Sequence, residues 1–285
     1  MTPLEQGAAL VHGGRFHEAL QQFANALRAD PASLPARIGL AHASKGTGDS
    51  AAAAAWLSDA CRIAPDAPQP AHMLAELLLE NKLYAQALPV YQRLYTVMGE
   101  RDRSTLLHLG FCLEQTGALD ESIARYREAI ALHPGFMEAN VDLAGVLWRV
   151  GDFEGSLAHA REATALAPTQ PYAVRILGTA LLHLNRLDEA ERELRRALQL
   201  KPGFDLAELD LAFTLLLGGK LQEGWRWYAN RWKDTDRLKR PNFFNPAHEW
   251  RGPREQPPAG KTFAVYAEQG LGDVLQFIRY VPLLQ

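Results

Sequence analysis

The residues best suited to chemistry lie near the end of the chain, in a glycine-rich turn between a β-rich segment, residues 261–267, and an apolar segment with helical spacing, residues 274–284. Gly270 and Gly272 allow a sharp turn and a close approach of the backbone to a ligand. The helix that follows offers unpaired N–H donors to an anion. The turn ends in Asp273, and a carboxylate at a helix N-terminus stays ionised and can accept a proton from a hydroxyl group. The alternative is that Asp273 only caps the helix.

The histidines and cysteines do not form a metal-binding pattern. The nine histidines are scattered along the chain, and none belongs to a His-x3-His or two-Cys arrangement. We therefore expect no metal site. The two cysteines, Cys61 and Cys112, exclude a disulfide framework and suit a reducing compartment.

Composition and charge exclude several classes of protein. The chain has 285 residues, of which 47% are hydrophobic and 22% charged, with a formal net charge of −3. This composition argues against disorder, collagen-like repeats and coiled-coil rods, and the charge gives no reason to expect nucleic acid. No apolar run approaches the roughly 20 residues of a membrane-spanning helix, and no signal peptide is visible. We expect a cytoplasmic protein with no nucleic-acid partner and no membrane insertion.

Most of the chain repeats with a period of about 34 residues. Prolines recur at this interval or twice it: Pro31, Pro65, Pro134, Pro168 and Pro202. Pairs of a large and a small residue keep the same register: Leu40-Ala41, Leu74-Ala75, Leu109-Gly110, Leu143-Ala144, Leu177-Gly178 and Leu211-Ala212. Glycines also recur: Gly14, Gly48, Gly117, Gly151 and Gly219. Shared periodicity in these features predicts repeated helical hairpins, with small residues where two helices cross, as at Gly110 and Ser122, and left-handed glycines between them.

This pattern resembles the tetratricopeptide repeat (TPR) family, whose unit is a helical hairpin of this length. The resemblance implies an all-α fold, a right-handed α-solenoid over residues 1–232. We expect six hairpins over residues 1–202 and a degenerate seventh over residues 203–232. The seventh replaces the usual ending with aromatic and basic residues, which suits either a capping repeat or a docking face.

The first helices of such hairpins line a concave groove. Projection of the repeat onto this face selects His72, Glu76, Glu80, His108, Glu114, Glu138, Asp142, Trp148, Arg149, Tyr172, Arg175 and His183, with Ser104, Gln115 and Thr179 beside them. This polar, mixed-charge set with two large aromatic residues suits an extended peptide or a protein loop better than a small metabolite. A merely solvated face is the alternative. The carboxylate clamp of chaperone-tail-binding members and the asparagine ladder of protein O-GlcNAc transferases are absent at the matching positions.

The periodicity stops after Trp232. Residues 233–261 contain five prolines and predict a Pro-rich linker, and residues 262–285 predict the first strand, turn and helix of an α/β domain. The aromatic junction around Trp225 and Trp232 and the Gly-Leu-Gly-Asp sequence at 270–273 resemble bacterial TPR-containing glycosyltransferases. Their repeats precede a GT-B domain similar to the heptosyltransferase-like glycosyltransferase family nine.

That resemblance implies a general-base role for Asp273 on an acceptor hydroxyl, a donor or acceptor loop at Gly270 and Gly272, and a nucleotide sugar as donor. Glu268-Gln269 departs from the family pattern and leaves the acceptor open. One strand and one helix cannot form a sheet. We therefore interpret the chain as a truncated acceptor-recognition arm of a glycosyltransferase that is not catalytic and has no cofactor by itself. The alternatives are a stand-alone TPR adaptor or scaffold without enzymatic activity, and a nucleotide-sensing module built on Gly270 and Gly272.

Overall fold

The computed structural model describes residues 1–230, which form fourteen α-helices and no strand. In chain order the helices are α1 (Pro3–His12), α2 (Phe16–Ala29), α3 (Leu34–Gly46), α4 (Ser50–Ile63), α5 (Pro68–Glu80), α6 (Tyr84–Thr96), α7 (Arg103–Gln115), α8 (Leu119–Leu132), α9 (Met137–Arg149), α10 (Phe153–Leu166), α11 (Pro171–His183), α12 (Leu187–Leu200), α13 (Asp205–Leu217) and α14 (Leu221–Tyr228). Within this part of the chain, none of the helices has both the length and the apolar character needed to cross a membrane.

Consecutive helices pack as seven hairpins, and each odd-numbered helix is the first helix of its hairpin. The predicted six hairpins and the shorter seventh one, α13 and α14, are confirmed. The predicted linker at 233–261 and the strand, turn and helix at 262–285, with Gly270, Gly272 and Asp273, lie outside the described residues.

The turn inside each hairpin contains a residue in the left-handed conformation. All five predicted glycines have φ between +71° and +89°. In the third and sixth hairpins Lys82 and Asn185 take this position, with φ of 58° and 56°. At Gly117 the left-handed residue allows Ala118 N–H to donate to the Leu113 carbonyl at 2.9 Å, which satisfies the end of α7.

The small residues of the repeat lie where helices approach most closely. A Cβ atom added at Gly110 would meet Cε1 of Tyr126 at 2.6 Å, and one added at Gly178 would meet Cγ of Leu194 at 2.6 Å. The Ser122 hydroxyl donates to the Gly110 carbonyl at 2.8 Å, as the sequence predicts for this contact. Larger side chains at these positions would overlap their neighbours, so the repeat retains glycine or alanine there.

First helices of neighbouring hairpins also contact one another, in the pairs α1–α3, α7–α9, α9–α11 and α11–α13. Among the described helices, no two second helices pack in this way. The first helices therefore form the inner layer of the stack. All of the predicted groove residues lie on first helices, from α5 to α11.

Candidate binding groove

A cavity of about 940 Å³ opens on the inner layer between α9, α11 and α13. We call it the α9–α13 groove. It brings together six of the predicted groove residues: Glu114, Trp148, Arg149, Tyr172, Arg175 and His183. Thr179 lines it as well, as do Asp210 and Phe213 of α13, two residues that the predicted set does not include. The signal for both was available, since they occupy the inner positions of the seventh hairpin in the same register.

Large aromatic side chains line the groove with their rings open to solvent. Trp148, Tyr172 and Phe213 are 41%, 43% and 39% exposed. The imidazole of His183 lies 5.0 Å from the Trp148 ring and is stacked 6.0 Å from that of Phe153, between centroids. Exposed aromatic rings grouped in a concave surface are typical of binding sites, because their apolar area is costly to leave in water.

Desolvation of its ring lowers the pKa of His183 below the ordinary value, and the negative charge of Asp210 opposes this only in part. His183 is therefore predominantly neutral at pH 7. Its contribution to the groove is a flat ring surface rather than a positive charge.

A buried ion pair crosses the floor of the groove from α11 to α13. Nη1 of Arg175 donates to Oδ2 of Asp210 at 2.7 Å, and the Thr179 hydroxyl donates to the same oxygen at 2.7 Å. The Cζ atom of Arg175 lies 5.1 Å from the ring centroid of Tyr172 and 5.8 Å from that of Phe204. These contacts fix the orientation of the guanidinium.

One donor of this guanidinium has no partner. Arg175 is 8% exposed, and its Nε is buried without a hydrogen bond. A buried polar group left unsatisfied costs about 1–3 kcal/mol. The fold therefore keeps an unused donor beneath exposed aromatic rings.

Three predicted carboxyl groups, Glu114, Glu138 and Asp142, interact beside the groove, and only Glu114 lines it. Nη1 of Arg149 donates to Oε1 of Glu114 at 2.9 Å, so this carboxylate has a positively charged partner. Burial, and to a smaller extent the negative charges of Glu114 and Glu138, raise the pKa of Asp142 to about 7. Asp142 can therefore change its charge near neutral pH.

The remaining predicted residues on α5 and α7 lie outside this groove, and they have local partners. Nζ of Lys45 lies 2.6 Å from Oε2 of Glu80. Nδ1 of His108 lies 3.1 Å from the Tyr91 hydroxyl and 3.2 Å from that of Ser104. Glu76 is exposed on the same helix as Glu80.

His72 approaches Glu100 and Asp102, with potential ligand atoms within 4.8 Å of one another. The Asp102 carboxylate already caps α7, accepting from Ser104 N–H at 2.9 Å and from the Thr105 hydroxyl at 2.6 Å. The expected absence of a metal site stays a prediction.

Three ion pairs connect first helices of successive hairpins, and their members are all 35 residues apart. They are Lys45–Glu80, Glu114–Arg149 and Arg175–Asp210. The repeat thus places charged partners opposite each other along the inner layer. Lys45–Glu80 and Glu114–Arg149 share one position of the repeat, whereas Arg175–Asp210 lies about two helical turns earlier and is the most buried of the three.

Seven stacked hairpins with a groove on their inner layer define an α-solenoid. Models of the tetratricopeptide repeat match residues 10–77, 72–136, 113–171 and 141–203, and the chain belongs to the tetratricopeptide repeat family. It is a TPR protein-interaction scaffold.

Two curated proteins are similar in sequence over much of the chain. Protein FlbA of Caulobacter vibrioides is 28% identical over 247 residues, which is 85% of this chain and 40% of the relative. Anaphase-promoting complex subunit 7 of Mus musculus is 26% identical over 198 residues, 69% of this chain and 34% of the relative. The chain thus spans less than half the length of these proteins.

Solved structures with the same fold include YrrB, described as a TPR protein with an unusual peptide-binding site. It is 17% identical with a TM-score of 0.55, over 70% of this chain and 98% of that one. The APC/C hetero-tetramer Cut9-Hcn1 is 18% identical with a TM-score of 0.53, over 75% of this chain and 42% of that one. MamA from Desulfovibrio magneticus RS-1 is 16% identical with a TM-score of 0.51, over 58% and 93%. At these identities the likeness establishes the fold.

Proposed function

We propose that the α9–α13 groove binds an extended segment of a partner protein. The observation that carries this proposal is the grouping of exposed Trp148, Tyr172 and Phe213 around a buried arginine on the inner layer. Trp, Tyr and Arg are the residues that most often dominate the binding energy of protein interfaces. A solvated inner surface without a ligand would have no need of such a grouping.

The dimensions of the groove favour an extended segment. Three first helices, with axes about 10 Å apart, span about 20 Å. An extended chain covers this distance with about six residues. The cavity of about 940 Å³ accommodates several side chains along that length.

The names of similar proteins support a protein ligand. YrrB is described by its peptide-binding site, and Cut9 by its complex with Hcn1. Anaphase-promoting complex subunit 7 is by name part of an assembly. A solenoid that binds proteins through its inner layer is consistent with these descriptions.

The experiment is a selection of a phage-displayed random 12-residue library on the 285-residue chain, followed by affinity measurements on synthetic copies of the enriched peptides. Trp148→Ala combined with Phe213→Ala should weaken binding at least 100-fold, because it removes two of the three exposed rings. The matched control, His72→Ala with Glu80→Gln on α5, should change affinity less than twofold. Absence of enriched peptides, or equal binding by the groove variant, would refute the proposal.

We further propose, from the sequence of residues 262–285, that the solenoid is the acceptor-recognition arm of a cytoplasmic bacterial glycosyltransferase with a nucleotide-sugar donor. Its support is the Gly270-Leu271-Gly272-Asp273 turn and the aromatic junction before it. Binding energy gained in the groove would hold the acceptor near the reacting centre. The competing function is an adaptor or scaffold with no enzymatic activity.

The discriminating experiment uses the protein encoded by the complete gene, read beyond the codon of Gln285, and measures transfer from nucleotide sugars. Asp273→Ala should lower the rate about 100-fold or more, as expected on loss of a general base, and Asp236→Ala serves as the control. An unchanged rate for the Asp273 variant would remove this residue from the mechanism. Absence of any transfer would favour the adaptor.

A further inference from the structure

We propose that Arg175 determines the specificity of the α9–α13 groove by binding the carboxylate of an aspartate or glutamate side chain in the partner segment. This inference rests on the proposed protein-binding function of the groove and names the chemical class of its ligand. The observation behind it is the unsatisfied donor of a residue that lines the cavity.

The structure holds the Arg175 guanidinium by one nitrogen only. Among the described residues, its single hydrogen-bond partner is Asp210, which accepts from Nη1 at 2.7 Å. Thr179 donates to the same Asp210 oxygen and so keeps that carboxylate in place. Nε, on the opposite edge of the guanidinium, is buried and has no acceptor.

This free edge matches a carboxylate. Nε–H and Nη2–H of an arginine point in parallel and can donate to both oxygens of one carboxylate, in a geometry that no single carbonyl oxygen fulfils. The rings of Tyr172 and Phe204 face the guanidinium with centroids 5.1 and 5.8 Å from Cζ. Tyr172 is 43% exposed, so its ring has room to move when a ligand approaches the free edge.

The other cation of the groove is already engaged. Arg149 donates to Glu114 at 2.9 Å, and no lysine contributes to the described lining of the cavity. One free arginine edge can donate to one carboxylate. An acidic side chain within an extended segment provides that group while its neighbours contact Trp148 and Phe213.

The experiment is a double-mutant cycle on peptides enriched from the random 12-residue library. Each peptide is synthesised in two forms, one with its Asp or Glu and one with the corresponding Asn or Gln. The affinity of both forms is measured for the wild type, Arg175→Lys and Arg149→Lys. Lysine at 175 retains the positive charge opposite Asp210 but lacks the two-donor edge. Thermal unfolding of the variants verifies that they are folded. If Arg175→Lys is not folded, the change from acid to amide in the peptide still tests the proposal on the wild-type chain.

We expect an Asp or Glu in the enriched peptides. The amide form should bind wild type at least tenfold more weakly than the acidic form. Arg175→Lys should bind the acidic form similarly weakly and should not distinguish the two forms. Arg149→Lys should bind each form as the wild type does. The inference is overturned if the peptides lack an acidic residue, or if the exchange weakens wild type and Arg175→Lys equally. In those cases, weaker peptide binding by the variant Trp148→Ala with Phe213→Ala would still support binding in the groove. Unchanged binding by that variant would refute the proposed function itself.

Discussion

The two halves of the inner layer share one backbone repeat but satisfy their charges differently. On α3 to α7 the pair Lys45–Glu80 is solvated, and His108 has hydroxyl partners from Tyr91 and Ser104. On α9 to α13 the pair Arg175–Asp210, at a different position of the repeat, is largely buried beneath exposed rings and leaves Nε without an acceptor. The consensus positions of the repeat build the scaffold, and the inner positions, which packing leaves free to vary, confer binding.

The largest expected difference between the halves concerns the ion pairs Arg175–Asp210 and Lys45–Glu80. Asp210→Asn leaves the buried Arg175 without its charge partner and should lower the free energy of unfolding by about 3 kcal/mol. Glu80→Gln removes a solvated pair and should cost about 0.5 kcal/mol or less. Chemical denaturation of both variants measures the two costs. Equal costs would contradict the distinction between the halves.

The next largest effect contrasts the packed and open sides of the first helices. A Cβ at Gly110 would lie 2.6 Å from Tyr126, whereas one at Gly145, which lines the groove, would meet nothing within 4 Å. Gly110→Ala should therefore destabilise the fold by about 2 kcal/mol. Gly145→Ala should stabilise it by about 0.5–1 kcal/mol, since alanine favours a helix.

Thermal unfolding followed by circular dichroism distinguishes these two variants. A lower midpoint for both would mean that the groove-facing position is also constrained by packing. That result would weaken the separation of scaffold from binding surface.

Asp142, at the boundary of the two halves, provides a pH-dependent test. Its pKa in the folded chain is raised to about 7, above the value near 4 of an unfolded aspartate, first by burial and then by the charges of Glu114 and Glu138. Its contribution to stability is therefore complete below about pH 4 and is lost as the pH rises through 7.

Asp142→Asn should consequently leave stability almost unchanged at pH 4 and increase it by about 2 kcal/mol at pH 8. Glu138→Gln removes only one of the repelling charges and should give a smaller increase with the same pH dependence. Denaturation curves at the two pH values measure the difference. An identical gain at pH 4 and pH 8 would exclude Asp142 as the titrating group.

The smallest expected effect is a null result on peptide binding. Charge reversal of Glu76 and Glu80 to lysine changes the inner layer of α5 without contacting the α9–α13 groove. The affinity of a groove-binding peptide should change less than twofold at physiological salt, because screening reduces long-range effects. A tenfold change would extend the binding surface to α5.

The sequence was sufficient to predict the hairpins, because period, proline and glycine positions each depend on local backbone geometry. It did not reveal that Lys82 and Asn185 adopt the left-handed conformation, since their residue types carry a weaker signal than glycine. Asp210 and Phe213 were left out of the predicted set although the register of the seventh hairpin, which Leu211-Ala212 continues, already places both on the inner layer. The unsatisfied Nε of Arg175 depends on three-dimensional packing and has no sequence signature.

The most direct test of the binding groove is the indole N–H spectrum of the chain with and without a saturating enriched peptide. The chain has six tryptophans. Among those within residues 1–230, Trp148 lines the groove, whereas Trp56 lies among the helices of the other half. Comparison with Trp148→Phe and Trp56→Phe assigns the two signals. We predict that the Trp148 signal shifts and the Trp56 signal does not. A shift of Trp56 with an unchanged Trp148 signal would contradict the assignment of binding to the α9–α13 groove.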